Sequence, residues 1–237
     1  MKALILAGGL ATRLRPVSEK IPKVLMPIGD VPFIAYQLAS LRAQGVTRAV
    51  LCAGFLADVL QRELGNGKQY GVELSYRVEP QPMGTGGALL FSKDEFEDET
   101  LVLNGDTYVD IDLAGMRERH RKLGSDLTIA LTAWNPEQKD VGLIQIDENQ
   151  RITRFAEKDN FLNGERFVNA GFYLFSKKLF EAEYKMPCSL EYDLIPQWIK
   201  NFSVNGFPQP SARLFDIGTP ERIKVFQQYA EERKLLC

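Results

Sequence analysis

The sequence is poor in the residues on which several common chemistries depend. Its 237 residues include a single histidine, His120, and three scattered cysteines, Cys52, Cys188 and Cys237. One histidine argues against Ser-His-Asp catalysis, and the cysteine spacing matches neither a zinc site nor a disulfide framework. His120 lies in a charged helical stretch, which predicts a solvent-exposed, non-catalytic side chain. Cys52 lies in an apolar run and is predicted to be buried.

An excess of one charge and long apolar runs are also lacking. Lys and Arg number 29 against 31 Asp and Glu, a net charge of −2, so the charge balance does not favour a nucleic-acid surface. The N-terminal apolar run is shorter than a signal-peptide core, and no stretch of about 18 apolar residues follows. We therefore expect a cytoplasmic protein without nucleic-acid or membrane partners. The oligomeric state stays open, a homo-oligomer included.

The first half alternates short apolar runs with helical patterns. Residues 3–7, 48–53 and 100–103 are predicted to form buried strands, and residues 32–43 and 57–64 to form helices between them. This alternation predicts βαβ units. The expected fold class is therefore α/β, a Rossmann-like three-layer α/β/α arrangement with a mostly parallel central sheet.

The pattern changes from residue 126 onward, where strand-like segments, residues 167–175 among them, follow one another with short turns between some of them. They predict a smaller antiparallel part, followed by helices over residues 189–201 and 220–234. We expect a single domain over residues 1–237. No hexapeptide repeat follows the last helix, so no C-terminal β-helix domain is expected.

A glycine pair ends the first predicted strand. Gly8 and Gly9 allow the backbone to pass close to a ligand, and amides in such a turn point at phosphate oxygens. Arg13 and Lys23 bring cations to the same loop. The stretch has neither the GK[ST] end of a Walker A motif nor the third glycine of GxGxxG. By composition alone, a strand-to-loop turn with surface arginines is the alternative.

The longer stretch resembles the signature of the sugar-1-phosphate nucleotidyltransferases, written loosely as GGxxTRLxPxTxxxPKxLxP. The matching positions are Gly8, Gly9, Thr12, Arg13, Leu14, Pro16, Pro22, Lys23, Leu25 and Pro27. Ser18 stands where threonine is usual. The resemblance implies the family's nucleotidyltransferase fold, with catalytic roles for Arg13 and Lys23. It also implies a nucleotide site formed by Leu6, Ala7, Gly8, Gly9, Thr12, Arg13 and Lys23.

The segment 82–88, Pro-Met-Gly-Thr-Gly-Gly-Ala, resembles the part of this family that packs on the nucleoside base. Small residues such as Gly84 and Thr85 are expected there because a flat base must lie against the backbone. Its alternative is a flexible loop capping the next helix. Glu79, just before it, is expected either to accept two N–H bonds from guanine or to be a solvated loop acid.

Two aspartates match the family's metal ligands. Asp106 follows Gly105 at the carboxyl end of a predicted core strand, where α/β sheets bind ligands. Asp216 begins an Asp-Ile-Gly-Thr-Pro segment that is also typical of a helix start. The resemblance implies that Asp106, also catalytic, and Asp216 hold Mg²⁺, and that Gly105 contacts the nucleotide. Asp110 and Asp112 are expected to be turn or helix-capping acids.

The remaining matches lie on the sugar side. The resemblance implies that a sugar-phosphate site is formed by Gly142, Glu157, Lys158, Asn169 and Gly171. Asp159 stands where the family often has proline. Residues 1–125 would then bind mainly the nucleotide and residues 126–237 mainly the sugar.

Within this family the chain resembles the bacterial D-glycero-α-D-manno-heptose 1-phosphate guanylyltransferases. That resemblance implies GTP, a manno-configured heptose 1-phosphate and a product used in surface polysaccharide synthesis. Mannose 1-phosphate guanylyl transfer, and uridylyl or thymidylyl transfer to another sugar 1-phosphate, are the alternatives. A hypothesis from another class is a non-catalytic regulatory protein that binds NDP-sugars, which would have no need for the metal carboxylates.

Overall fold

The computed structural model describes residues 1–9, 12–14, 19–135, 141–157 and 164–236, without the side chains of Thr12 and Glu157. Of the predicted site residues, Lys158 lies outside this range. The strands are β1 Lys2–Leu6, β2 Pro27–Ile28, β3 Val31–Pro32, β4 Arg48–Ala53, β5 Glu73–Val78, β6 Thr100–Asn104, β7 Thr107–Val109, β8 Leu127–Ala133, β9 Gly142–Ile146, β10 Ile152–Glu157, β11 Phe167–Phe175, β12 Val204–Pro208 and β13 Leu214–Asp216.

The α-helices are α1 Phe33–Ala43, α2 Ala57–Leu64, α3 Gly84–Phe91, α4 Leu113–Lys122, α5 Ile195–Asn201 and α6 Pro220–Arg233. None of the helices in the described ranges is both long enough and apolar enough to span a membrane. The predicted helix over 189–201 is divided, because one π-helical turn, Leu190–Leu194, precedes α5. The helix start expected at the Asp-Ile-Gly-Thr-Pro segment is confirmed, because Thr219 caps α6 and its hydroxyl accepts a hydrogen bond from the Arg222 amide.

The chain divides into two compact units. The first unit comprises residues 1–82, 103–108 and 215–237, and the second comprises residues 83–102 and 109–214. The expectation of one domain, with nucleotide-binding and sugar-binding halves that meet near residue 125, stays a prediction.

In the first unit, β1, β4 and β5 form parallel ladders. Leu4 lies opposite Val50, and Val50 lies opposite Ser75. Leu4 and Ile5 are completely buried, which explains why β1 after Lys2 is an uninterrupted apolar run rather than an alternating one. The mixed α/β class with a mostly parallel central sheet is confirmed.

An aromatic cluster around Phe226 of α6 forms a second core in the first unit. The Phe226 ring lies 5.1 Å from that of Phe33, 5.3 Å from Tyr36 and 5.2 Å from Tyr108. Leu14, from the stretch that carries the family signature, packs into the same cluster. Helix α6 therefore fixes α1, the signature stretch and the segment that carries Tyr108 against one another.

In the second unit, β8, β9, β10 and β11 pair antiparallel, as the sequence predicted. Strand β12 pairs parallel to β8, with Gly206 opposite Ile129, and it was missing from the predicted strands. Asp112 caps α4 by accepting from the Gly115 amide, and Asp110 accepts from the Arg213 amide. Both acids are therefore turn or capping residues, as predicted.

The prediction of an exposed His120 is wrong, whereas that of a buried Cys52 is confirmed. His120 is only 5% exposed, and its Nδ1 lies 2.8 Å from the Thr128 hydroxyl. Burial lowers the His120 pKa, because it disfavours the charged imidazolium. The charged residues on either side of His120 in sequence suggested a solvated helix face, but α4 turns His120 toward β8.

Candidate active site

The glycine pair after β1 has two different environments. The amide of Ala7 still donates to the carbonyl of Cys52, at 2.8 Å, which continues the β1–β4 ladder. A Cβ atom on Gly8 would lie 3.1 Å from Oε1 of Glu79, whereas one on Gly9 would have nothing within 4 Å. Gly8 therefore permits a close contact, and Gly9 leaves exposed backbone on which a phosphate could lie.

The Thr12–Leu14 segment forms a short 3₁₀ turn that has one anchoring and one exposed side chain. Leu14 is buried in the Phe226 cluster, whereas Arg13 is exposed. The local alternation thus places the Arg13 guanidinium in solvent, where it can meet an anion. Leu6 is half-buried at the end of β1.

Lys23 and Asp106, both predicted to be catalytic, form an ion pair across 83 residues of sequence. Nζ of Lys23 lies 2.5 Å from Oδ2 of Asp106, and 17% and 37% of the two side chains are exposed. Lys23 begins a 3₁₀ turn whose next residues, Val24 and Leu25, are buried. These two apolar side chains fix the backbone from which the ammonium group reaches Asp106.

Gly105 joins the Asp106 turn to the end of β1. Its amide donates to the carbonyl of Leu6 at 2.9 Å. A Cβ atom there would lie 2.5 Å from that oxygen and 2.7 Å from Cγ1 of Val24. No larger residue fits, so the glycine is required by the packing of the chain itself. Its predicted contact with the nucleotide stays a prediction.

The second predicted metal ligand, Asp216, lies close to the first. The amide of Ile217 donates to the backbone carbonyl of Asp106 at 3.0 Å. A Cβ atom on Gly218 would lie 2.8 Å from Oδ1 of Asp216 and 3.8 Å from Nζ of Lys23. The structure thus brings Lys23, Asp106 and Asp216 together, which the sequence alone predicted only through the family resemblance.

Arg222 is a neighbour of Asp216 that sequence reasoning missed. Its Nη1 lies 2.7 Å from each carboxylate oxygen of Asp216, and the Gly218 amide donates to Oδ1 at 2.9 Å. The signal was present in the sequence, because Arg222 lies in the first turn of a helix that starts just after Asp216. An arginine there faces back toward the residues before the cap.

The donor set suits a hard cation that keeps several ligands from outside the protein. Asp106 and Asp216 offer carboxylate oxygens, the ligand type that Mg²⁺ prefers together with substrate phosphates. Within the described ranges, no group of three or more His, Cys, Asp or Glu side chains forms a closed metal cage. Two carboxylates beside Lys23 therefore fit a shared protein–phosphate metal site.

The carboxylate of Glu79 lies against the glycines that end β1 and β4. A Cβ atom would lie 2.5 Å from Oε1 of Glu79 at Gly54 and 3.1 Å from it at Gly8. The amide of Glu79 donates to the carbonyl of Ala53 at 2.9 Å, so the residue follows directly on the β4–β5 ladder. Glu79 is half-buried beside the predicted phosphate loop, and its role in reading the base stays a prediction.

In the second unit, the glycines at the start of α3 pack on the segment Cys188–Leu194. Gly84 has φ +77°, and a Cβ atom on it would overlap the carbonyl oxygen of Cys188. The Thr85 hydroxyl donates to Oε2 of Glu191 at 2.7 Å and accepts from the Leu190 amide at 2.8 Å. Gly84 and Thr85 were predicted to contact the nucleotide, and the structure adds a packing reason for both.

Apart from Lys158, which lies outside the described residues, the predicted sugar-side residues gather at one end of the antiparallel strands. The register places Gly142 of β9 opposite Glu157 of β10, and Leu143 opposite Val168, the residue before Asn169. The Asn169 side chain accepts from the Gly171 amide at 3.1 Å and donates to the Tyr173 hydroxyl at 2.8 Å.

A bulge in β11 produces this arrangement of Asn169. The β8–β11 register shifts between Asn169 and Tyr173, and Gly171 has φ +64°, which favours glycine. The bulge thus orients the Asn169 amide. The roles of all these residues in sugar binding stay predictions.

Comparisons with known proteins place the chain in one enzyme family. A family model described as nucleotidyl transferase matches residues 2–232. The D-glycero-alpha-D-manno-heptose 1-phosphate guanylyltransferase of Aneurinibacillus thermoaerophilus is 34% identical over 96% of this chain and 97% of that protein. A mannose-1-phosphate guanyltransferase of Aspergillus oryzae is 35% identical over 93% of this chain, which spans 62% of that protein.

Solved structures are also similar to this chain over almost its whole length. HddC from Yersinia pseudotuberculosis superposes with a TM-score of 0.81 and 32% identity, covering 96% of this chain and 98% of that chain. Its complex with GMP-PN superposes with a TM-score of 0.79 and 31% identity over the same shares of both chains.

Proposed function

Since the chain belongs to the nucleotidyl transferase family, we propose that it transfers GMP from GTP to a sugar 1-phosphate and releases pyrophosphate. The observation that carries the proposal is the Lys23–Asp106 contact beside Asp216. It occurs in a chain that is similar to a guanylyltransferase over almost its whole length. A cytoplasmic location, where nucleoside triphosphates are made, belongs to the same proposal.

The sugar we propose first is D-glycero-α-D-manno-heptose 1-phosphate. Its support is a relative of matching length, of which this chain covers 97%. Mannose 1-phosphate is the second candidate, supported by the similar identity of the Aspergillus oryzae guanyltransferase. The two sugars share the manno configuration of the ring, so one pocket could accept both.

The proposed reaction is attack of a sugar-phosphate oxygen on the α-phosphorus of GTP, with pyrophosphate leaving in line. The attacking oxygen is ionised at neutral pH, so no general base is required, and catalysis consists of positioning and charge stabilisation. Arg13, exposed on its 3₁₀ turn, is assigned to the leaving pyrophosphate, and Lys23 to the phosphates at the reacting centre. Lys158 is assigned to the sugar phosphate by its motif alone.

Asp106 and Asp216 are proposed to hold Mg²⁺ through their carboxylate oxygens, with phosphate oxygens as further ligands. When bound, the ion would neutralise charge on the α-phosphate and on the attacking oxygen. Lys23 contacts Asp106 and Arg222 contacts Asp216, so a protein cation orients each carboxylate. On the sugar side, Asn169 is proposed to contact the hydroxyl groups beside Gly142 and Glu157.

The test is pyrophosphate release with Mg²⁺ over an array of nucleoside triphosphates and hexose or heptose 1-phosphates. We expect the strongest signal with GTP and a manno-configured sugar 1-phosphate, a strongly reduced one from Lys23→Ala, and none after chelation of Mg²⁺. A stronger signal with UTP or dTTP would support the proposed nucleotidyl transfer and overturn the proposed preference for guanine. Absence of release from every pair would overturn the proposed activity and favour the non-catalytic NDP-sugar binder.

A further inference from the structure

A buried glutamine on α1 holds both ends of the turn that carries Asp106. Gln37 is 2% exposed, and its Nε2 donates to the carbonyl of Asn104 at 2.9 Å and to that of Thr107 at 2.6 Å. These two carbonyls lie on either side of Gly105 and Asp106 in the chain. One amide group therefore fixes the path of the backbone that presents the Asp106 carboxylate.

The rest of this turn is held by main-chain bonds from two other segments. The Gly105 amide donates to Leu6 at the end of β1, and the Asp106 carbonyl accepts from Ile217. Each of residues 104–107 therefore has one backbone group in a hydrogen bond to another segment, and Gln37 provides the two of these bonds that come from a side chain. The two N–H groups of Gln37 thus give the carbonyls of Asn104 and Thr107 hydrogen-bond partners beside the buried face of α1.

If this position served only to fill space in the core, a glutamine would be less favourable than an apolar side chain. Oε1 of Gln37 is buried and has no hydrogen-bond partner among the described residues. An unpaired buried acceptor destabilises a fold, and an apolar side chain of the same size would avoid that cost. What only an amide supplies here is the pair of donors to the turn. Phe33 and Leu38 of α1 are fully buried, so these donors project from a rigid helix.

We propose that Gln37 is a positioning residue for Asp106, which it keeps in contact with Lys23 and correctly placed to bind the metal. Gln37 contacts neither substrate nor metal in this scheme, and it acts through the turn. Its consequence for catalysis rests on the proposed function, because the role of Asp106 as a metal ligand does. Partners outside the coordination sphere that orient a metal ligand commonly affect metal affinity by about 10–100-fold.

The test compares Gln37→Met with Leu41→Ala. Gln37→Met keeps the size of the side chain and removes both donors, whereas Leu41 lies one turn further along α1, is also 2% exposed and has an apolar side chain that donates no hydrogen bond. The first readout is amide hydrogen exchange of residues 105–107. The second is the Mg²⁺ concentration that gives half-maximal pyrophosphate release.

For Gln37→Met we expect faster exchange at residues 105–107 and a half-saturating Mg²⁺ concentration about tenfold higher, with kcat largely recovered at high Mg²⁺. Leu41→Ala should lower the Tm without either effect. Unchanged exchange in Gln37→Met, faster exchange with an unchanged Mg²⁺ requirement, or equal Mg²⁺ effects in both variants would overturn the proposal.

Two further arms keep the test decisive. If Gln37→Met does not fold, Gln37→Leu, which also removes both donors and adds no charge, takes its place with the same expected results. If the wild-type protein releases no pyrophosphate with any substrate pair, the proposed function fails. The exchange data then still decide whether Gln37 orders the Asp106 turn.

Discussion

The Lys23–Asp106 pair in the first unit and the Gly84–Thr85 turn in the second use motif residues in opposite ways. In the first, charged groups meet while 37% of the Asp106 side chain stays exposed. In the second, the Thr85 hydroxyl donates and accepts within the chain, and Gly84 lies against the Cys188 carbonyl. The difference teaches that a motif match does not distinguish a residue that is open to a ligand from one whose contacts lie within the protein.

The largest expected effect comes from Lys23→Ala. Removing a cation from the reacting centre should lower kcat by about 100–1,000-fold, as loss of one transition-state donor does elsewhere. Lys20→Ala, an exposed lysine three residues earlier, is the matched control and should keep kcat. Glu79→Ala should keep most of the turnover and reduce the preference for GTP over other nucleotides. Equal losses of kcat in Lys23→Ala and Glu79→Ala, with the same base preference, would refute this division of roles.

Asp216→Asn tests the second carboxylate of the same cluster. The variant keeps the shape of the side chain but removes its charge. We therefore expect kcat/KM at low Mg²⁺ to fall at least as much as the about 10–100-fold that loss of a residue orienting a metal ligand causes. A titration of activity with Mg²⁺ measures this effect. Asp110→Asn, an acid that accepts from the Arg213 amide and was not assigned to the metal, should leave the titration unchanged. The same Mg²⁺ curve in Asp216→Asn and wild type would contradict a metal role for Asp216.

Gly84→Ala and Gly9→Ala should separate scaffold from ligand-facing backbone. In Gly84→Ala the added Cβ atom would overlap the Cys188 carbonyl oxygen at φ +77°, so we expect a loss of about 1–3 kcal/mol in unfolding free energy. Gly9 has nothing within 4 Å of its Cβ position, so Gly9→Ala should keep its stability and raise the KM for GTP. Denaturant unfolding and GTP titrations measure the two quantities. An unchanged unfolding free energy in Gly84→Ala would show that the backbone at Cys188 can shift at little cost.

Thr85→Val refines the comparison further. It removes the hydroxyl that joins Glu191 and the Leu190 amide, so we expect a loss of about 1 kcal/mol in unfolding free energy. Thr85→Ser keeps the hydroxyl and should retain most of this stability. If Thr85 mainly stabilises the packing of α3 on the Cys188–Leu194 segment, the KM for GTP should change little in both variants. A large rise in that KM without a loss of stability would restore Thr85 as a direct nucleotide contact.

The smallest expected effect concerns His120. Burial lowers its pKa below the ordinary value of 6.5 and the Arg121 charge adds to this, whereas Glu99 and Asp126 act in the opposite direction. The unfolded chain therefore binds a proton more readily, and unfolding free energy should fall as the pH drops below about 6.5. His120→Asn should reduce this pH dependence when denaturant unfolding is measured at about pH 7.5 and about pH 5.5. An unchanged slope would show that His120 does not contribute.

Local patterns predicted several elements to the residue. The bounds of β4, α2 and β11 coincide with those expected from apolar runs, helical periodicity and turn residues. These signals act over a few neighbouring residues, so they can be read from the sequence. Strand β12 was missed because it contains Gly206 and ends in Pro208, and its pairing with β8 depends on a distant partner.

The sequence predicted which charged residues form the candidate site, but not which residues support them. The family resemblance named Lys23, Asp106 and Asp216, and the structure brings them together. It gave no indication of Arg222 beside Asp216 or of Gln37 behind the Asp106 turn. Supporting residues of this kind have no motif of their own, because their role is defined only by what packs against them.

The sequence by itself thus determined the fold class and most of the strands and helices, and its resemblance to a family named the residues to which the proposed chemistry is assigned. Hydrophobic periodicity, turn residues and motif spacing are local properties, which explains this success. Only the tertiary structure decided that His120 is buried, that Gly84 and Thr85 pack on the Cys188 segment and that Gln37 holds the Asp106 turn. Each of these contacts joins residues whose approach depends on how whole elements pack, and no short stretch of sequence encodes that packing.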